Sequence, residues 1–155
     1  MKFRFCLLAL LFSLTYPVSG LNLSKGESGR IARLVGQILS SNHLRQEALN
    51  NRLSELALDN YLDALDVNHQ VFIRPDIEEF RKKYSDKLDD LTLAERNAQP
   101  AFVIYKRYLE RLKARVDDVD ELLAAEHDFE KEESLELKRS KKPWPNTVEE
   151  LNELW

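Results

Sequence analysis

Apolar residues recur every three or four positions along most of the chain, a spacing that places them on one face of an α-helix. The pattern predicts a first helix over residues 28–41 and a second over residues 46–65, with a break at 66–69 and a short extended stretch at 71–73. A third helix is predicted from Pro75, because proline suits the first helical turn. The apolar faces of the first and third helices are Ile31, Leu34, Val35, Ile38 and Leu39, and Ile77, Phe80, Tyr84, Leu88 and Leu91, respectively.

The longest apolar repeat follows Pro100 and alternates strictly between spacings of three and four residues. Its members are Phe102, Tyr105, Leu109, Leu112, Val116, Val119 and Leu123. Such a heptad seam is typical of a coiled coil and of the long central helix in a bundle. Because the same chain offers other amphipathic helices, we expect the seam to form a bundle core, with the coiled coil as the alternative.

Glycine is confined to the first part of the chain, and residues 37–155 contain none. Phosphate-binding loops, nucleophile elbows and most oxyanion loops use glycine for close approach or positive φ, and β-hairpin turns often do so too. The sequence therefore predicts an all-α fold, a single helical bundle domain with short polar turns.

The first twenty residues have the order of a secretory signal peptide. Lys2 and Arg4 precede an apolar run over 5–14, and small residues then lead to Gly20. We predict cleavage after Gly20, export to the periplasm or beyond, and a mature domain over residues 21–155. The run is shorter than the roughly 20 residues that a spanning helix needs, so no membrane span is expected after cleavage; an uncleaved anchor is the alternative.

Charge and histidine spacing argue against several kinds of site. The net charge of −4, without a long basic stripe, disfavours nucleic acid as a partner. His43, His69 and His127 lack metal-ligand spacing, and the group formed by Asp63, Asp66 and His69 fits a polar helix end better than a catalytic or metal site. We therefore predict no catalytic residue, no metal ligand and no cofactor.

The C-terminal part contains a rigid Pro143-Trp144-Pro145 element followed by a helix start at residues 147–150. That helix stops at Trp155, which indicates either a truncated product or a short docked helix; the pattern supports both equally. Trp144 and Trp155, together with Pro143 and Pro145, are predicted to be exposed contacts for another domain or a partner protein.

Four further segments are informative because of their order along the chain. The first three are Tyr-Leu-Asp-Ala-Leu-Asp at 61–66, Val-Phe-Ile at 71–73 with the helix start at 76–80, and Pro-Ala-Phe-Val-Ile-Tyr at 100–105 with Tyr108. The fourth consists of Phe129, Glu-Glu-Ser at 132–134, Lys-Pro-Trp-Pro at 142–145 and Leu-Asn-Glu-Leu-Trp at 151–155. In this order the segments resemble the N-terminal domain of the tail-specific (carboxy-terminal processing) proteases, with the best match in the fourth. The resemblance covers roughly residues 28–155, nearly all of the predicted mature chain.

The resemblance implies a non-catalytic helical domain of an exported bacterial enzyme that has a PDZ domain and a Ser/Lys catalytic dyad. In that family the domain packs against the protease body and helps to admit or enclose polypeptide substrate, and in some relatives a helical adaptor delivers the substrate. No residue here matches the catalytic serine, the lysine or the PDZ carboxylate-binding loop, so the resemblance implies no enzyme activity for this chain by itself.

Three hypotheses follow from these observations. The first is a fragment or shortened product of such a protease, ending before the PDZ and protease domains. The second is a free-standing periplasmic helical protein that binds or regulates a protease in trans. The third is a small enzyme on a helical scaffold, which the residues support least.

Overall fold

The computed structural model describes residues 24–42, 47–124, 130, 132, 134, 136 and 138–155, and at positions 120 and 121 the backbone alone. The predicted signal peptide and the histidines at 43 and 127 lie outside these residues. The described part contains six helices and no strand, which confirms the all-α prediction. The helices are α1 Lys25–Asn42, α2 Asn51–Leu65, α3 Arg74–Tyr84, α4 Leu88–Leu93, α5 Gln99–Ala124 and α6 Val148–Asn152.

At the starts of these helices, nearby side chains accept hydrogen bonds from backbone N–H groups that have no partner within the helix. Before α1, the Ser24 N–H donates to Glu27 Oε2 at 2.8 Å and the Glu27 N–H donates to Ser24 Oγ at 3.3 Å. Hydrogen bonds from the Ser24 side chain and backbone to the carboxylate hold the pKa of Glu27 below its ordinary value. Thr147 caps α6 in the same way, its Oγ1 accepting the Glu150 N–H at 3.2 Å. The start of α6 confirms the helix start predicted at 147–150, whereas α1 begins at Lys25, three residues before the predicted start at residue 28.

The core lies where α2, the loop 66–73, α3 and α5 meet. The Phe72 ring contacts Phe80 edge-on, with centroids 5.9 Å apart, and Tyr108 of α5 at 5.8 Å. The residues buried in this cluster are Leu58, Leu62, Phe72, Ile77, Phe80, Tyr84 and Ile104. The apolar stripe predicted for the third helix is thus buried, although its last two members, Leu88 and Leu91, lie on the separate helix α4 and are half-buried.

The prediction that the α5 seam forms the core is wrong. Val116 is 56% exposed, and Phe102, Tyr105, Leu109 and Leu123 are exposed as well. The inward face carries Ile104, Tyr108, Arg111 and Arg115 instead. With about 100° between successive helical residues, this face lies roughly a quarter turn from the seam, which leaves only Leu112 and Val119 half-buried at the border.

The predicted inward face of α1 is also wrong. Its five large apolar residues, including Leu34 and Ile38, are all exposed. The helix packs on α4 through the opposite face, where Gly29 and Gly36 are buried. A Cβ added to Gly29 would lie 1.7 Å from the backbone oxygen of Arg96, so at this point only glycine permits the observed approach.

Candidate contact surface

Trp144 anchors the C-terminal segment to the loop between α2 and α3. Its indole ring stacks on the His69 ring with centroids 3.7 Å apart and planes 21° apart. Its Nε1–H donates to Asp66 Oδ2 at 3.1 Å, and the side chain also packs against the core. The sequence predicted an exposed Trp144; the side chain is half-buried, because both its ring face and its N–H have partners within this chain.

Asp66 organises this loop from a buried position. Its carboxylate accepts the backbone N–H groups of Gln70 at 2.7 Å, Val71 at 3.0 Å and Phe72 at 2.9 Å, in addition to the Trp144 indole. Burying a carboxylate is costly unless hydrogen bonds replace its water, and four N–H donors do so here. The extended stretch that carries Phe72 into the core is therefore fixed by one side chain.

His69 lies beneath Trp144, buried, with φ of 54° in the left-handed region that histidine adopts more readily than most residues. Its Nδ1 faces the carbonyl oxygen of Lys142, and its Nε2 lies 3.2 Å from Asp63 Oδ1. The sequence-predicted group of Asp63, Asp66 and His69 is therefore brought together, and His69 and Asp66 contact Lys142 and Trp144 of the C-terminal segment.

Two further hydrogen bonds fasten the same segment. The Arg74 N–H donates to the carbonyl of Pro145 at 2.7 Å, and the Trp155 indole N–H donates to the carbonyl of Gln70 at 2.9 Å. Pro145 is buried, whereas Pro143 and Trp155 are exposed. Of the four predicted contact residues, two are therefore half-buried or buried within the chain and two stay accessible; their role toward a partner stays a prediction.

A second polar cluster joins α3 to α5. Asp76, buried at the start of α3, accepts from Arg111 Nε at 2.9 Å and Nη2 at 3.0 Å, and from Arg107. Burial, the largest single influence, would raise the pKa of Asp76, but the bonds from Arg111, Arg107 and the Ile73 N–H together hold it below its ordinary value. The same hydrogen bond, which stabilises the charged form of each partner, raises the pKa of Arg107.

Farther along α5, Arg115 is buried and contacts Asn152 of α6 and Asp118, the latter at 2.7 Å. Leu151 of α6 is buried beside this contact. The arginines of α5 thus occupy the face that the heptad pattern had not singled out, and they connect α5 to α3 at one end and to α6 at the other. No sequence signal marks these pairs, since their partners lie 31 to 37 residues away.

The hydrogen bonds of the polar clusters join parts of this chain to one another. Few groups suited to catalysis or ligand binding are accessible on the described surface. Between α2, α4 and α5 lies an apolar groove of about 260 Å³, whose walls include Leu53, Tyr61, Leu88 and Ile104 and carry no charged residue within the described part of the chain. Its serine, Ser54, is bonded to Asp89 at 3.0 Å. Across the described ranges, no three His, Cys, Asp or Glu residues are grouped as metal ligands.

Two helices carry rows of exposed apolar side chains. On α5 it comprises Phe102, Tyr105, Leu109, Val116 and Leu123, which we call the α5 stripe. On α1 it comprises the exposed Ile31, Leu34, Val35, Ile38 and Leu39, the α1 stripe. None of the helices in the described ranges has the length and apolar character that crossing a bilayer requires.

The described residues define an all-α domain whose polar clusters fasten its own elements together and whose outer faces keep two apolar stripes. The family model described as "Tail specific protease N-terminal domain" matches residues 35–155, and the chain belongs to this family. It is 35% identical over 117 residues to the tail-specific protease of Haemophilus influenzae. That alignment covers 76% of this chain and 17% of the relative, so the chain spans about a sixth of the relative's length.

Proposed function

We propose that this chain is the non-catalytic, helical accessory domain of an exported tail-specific protease, and that the α5 stripe is its contact with the rest of such an enzyme. The observation that carries the proposal is the exposure of a strict heptad repeat in a member of this family. Contiguous exposed apolar residues mark sites of interaction with other proteins, membranes or ligands.

The repeat also suggests what the stripe contacts. A spacing of three and four residues, sustained from Phe102 to Leu123, keeps one seam facing a helix that supercoils around it. Flat sheets and loops have no such period. The proposed partner surface is therefore an amphipathic helix, supplied by the protease body or, in a variant of the same role, by a helical adaptor that delivers the polypeptide substrate.

Catalysis is assigned to the remainder of the enzyme. The relative is a protease, and the alignment covers 17% of it, while Ser54, in the groove between α2, α4 and α5, is bonded to Asp89 and the residues that line this groove are uncharged. An oxyanion hole and an activated nucleophile both need preorganised polar groups around the scissile bond. We therefore expect no peptide hydrolysis by the chain alone. Export to the periplasm is part of the same proposal.

The test uses the Haemophilus influenzae protease from which the aligned N-terminal segment has been deleted. The purified chain is mixed with this truncated protease, and binding is measured by sedimentation. We expect a complex, and we expect Val116→Asp to weaken it at least tenfold, about 1.4 kcal/mol, because a charge would enter the apolar contact. The matched control is Val67→Asp, at a loop residue that is 60% exposed and outside the stripe.

Equal binding by the two variants would refute the contact surface, and hydrolysis by the chain alone would refute the non-catalytic role. A further arm separates the second hypothesis, a free-standing protein that acts in trans. If the chain binds the intact protease as tightly as the truncated one, it does not occupy the place of the native N-terminal domain, and the trans role is supported instead.

A further inference from the structure

Three arginines, which we call the arginine cluster, line one concavity on the surface beside α1. Arg30 and Arg33 come from α1 and Arg96 from the loop between α4 and α5. Leu34 and Gln37 complete the lining of a space of about 320 Å³ that contains no acidic side chain. In the described part of the chain, none of the three arginines lies within ion-pair distance of a carboxylate. The cluster therefore concentrates unneutralised positive charge on a chain whose net charge is −4.

Backbone contacts fix the position of Arg96. Its φ is 52°, in the left-handed region that arginine adopts less readily than glycine or asparagine. Its carbonyl oxygen meets α1 at Gly29, where an added Cβ would lie 1.7 Å away, and the N–H of Asn97 donates to the Leu91 carbonyl at 2.8 Å. Sparsely populated backbone conformations often occur at functional sites. The loop thus places a third arginine beside the two from α1.

The arginine cluster adjoins the α1 stripe along one edge. With about 100° between successive helical residues, Arg30 and Arg33 lie on the side of α1 next to Leu34. Alongside the stripe, the opposite edge carries Ala32 and Gly36. The exposed surface of α1 is therefore apolar, with positive charge on one side.

We propose that the α1 stripe and the arginine cluster form one docking surface for an acidic amphipathic helix of a partner protein. The partner's apolar side chains cover the stripe, and its Asp or Glu side chains bind the arginines, because a guanidinium group can donate two parallel hydrogen bonds to a carboxylate. The surface lies on α1, to which the proposed function assigns no role, so this inference does not rest on the α5 contact.

The spacing of the stripe and the placement of charge both argue for this occupant. From Ile31 to Leu39 the apolar residues recur at helical spacing, and in paired helices the charges that flank such a seam select the partner and its orientation. An anionic bilayer presents its phosphates to both edges of a helix that lies in its surface. The arginine cluster occupies one edge only, which matches a helix with acidic residues along one flank.

A synthetic helical peptide tests the proposal on the full chain by fluorescence anisotropy. The probe has leucines at heptad spacing and glutamates along one flank, and the matched peptide has glutamines in place of the glutamates. We expect the glutamate peptide to bind about tenfold more tightly, because several charge pairs form. Added salt should reduce this difference by screening the pairs. Equal binding of the two peptides at low salt would overturn the proposal.

Variants of the chain locate the site. Arg33→Gln and Arg96→Asn should each weaken binding of the glutamate peptide about threefold, and asparagine tolerates the positive φ at position 96. Leu34→Ala should weaken both peptides, whereas Val67→Ala, at a residue that is 60% exposed outside both stripes, should have no effect. Lys113→Gln removes an exposed charge from α5 and is the matched charge control. A loss in Lys113→Gln with none in the arginine variants would contradict the assignment to α1.

Two further outcomes would identify a different occupant. Binding to vesicles that contain phosphatidylglycerol, lost in both arginine variants and accompanied by no preference for the glutamate peptide, would overturn the proposal in favour of a lipid surface. A dimer of the chain alone in sedimentation, weakened by the same variants, would overturn it in favour of a second copy. Each variant must keep the circular dichroism and urea midpoint of the unchanged chain. If the half-buried Arg33 does not permit this, Arg30→Gln, at an exposed position, takes its place with the same expected loss.

Discussion

The α1 and α3 helices carry apolar stripes of the same helical spacing, yet they use them in opposite ways. On α3, Phe80 is 0% exposed and packs beside Phe72, whereas on α1, Leu34 is 56% exposed. The α1 helix instead approaches the chain through Gly29 and Gly36. The periodicity determines which face of a helix is apolar, but the available partner determines which face is buried.

The α5 helix has both a buried face and an exposed apolar face. One face packs on the core with Ile104 and Tyr108 and pairs Arg107 and Arg111 with a buried aspartate. The neighbouring face is the exposed α5 stripe. Because charged side chains can be buried when they are paired, a face with two arginines lies inward while a more apolar face remains outside. Both stripes therefore lie outside this domain's own core, and on α5 this exposure is the observation on which the proposed contact rests.

The sharpest test of this comparison replaces one residue from each stripe. Phe80→Ala should reduce the free energy of unfolding by about 3–5 kcal/mol, because it removes a fully buried ring and leaves a cavity. Leu34→Ala should change it by less than about 0.5 kcal/mol, since the side chain is exposed. Urea titration followed by helical circular dichroism measures both. A large loss for Leu34→Ala would mean that the α1 stripe is buried in solution, and the comparison would fail.

Substitutions on the glycine face of α1 should have the next largest effect on the free energy of unfolding. Gly29→Ala should cost about 3 kcal/mol or release α1 from the domain, because the new Cβ meets the Arg96 backbone. Gly36→Ala, where the nearest atom is Leu93 Cδ2 at 3.3 Å, should be close to neutral, the gain in helix propensity offsetting a slight crowding. Gly26→Ala meets nothing within 4 Å and should stabilise the helix. Similar effects at all three positions would show that α1 does not pack on α4 as observed.

The sequence was sufficient for the fold class and for the starts of α3 and α6, because these depend on local spacing and on side chains within four residues of the helix start. It was insufficient for the inward faces of α1 and α5. There the outcome depends on the Gly29–Arg96 approach and on Arg115 and Asn152 meeting across the fold. Periodicity contains no information on such distant pairs.

At the candidate contact surface, too, the sequence predicted local features but not contacts between distant residues. Sequence grouped Asp63, Asp66 and His69 as a polar helix end and identified Trp144 as a prominent aromatic side chain. Their association across more than seventy residues has no local signature. The α5 stripe was visible from the sequence, but its exposure was not, because a heptad seam is compatible with an internal or an external partner.

The smallest predicted effect concerns Asp76, which lies between the buried face of α3 and the arginine face of α5. Its pKa is lowered in the folded chain, so the folded state binds this proton less tightly than the unfolded state does. The stability it contributes is therefore fully present above the unfolded pKa of about 3.9 and is lost as the pH falls through the folded value. Acid should weaken the α3–α5 junction from about pH 4 downward.

Asp76→Asn isolates this contribution. At pH 6 the variant should be about 1–2 kcal/mol less stable than the unchanged chain, because Arg107 and Arg111 lose a charged acceptor but remain partly hydrated. Below about pH 4 the gap between the two chains should narrow, since the unfolded carboxyl group of Asp76 takes up its proton there before the folded one does. Asp86→Asn, at an exposed position between α3 and α4, is the matched control and should run parallel to the unchanged chain. A stability gap that persists unchanged below pH 3 would show that the charge of Asp76 does not hold α5 against α3, and that its contribution comes from shape alone.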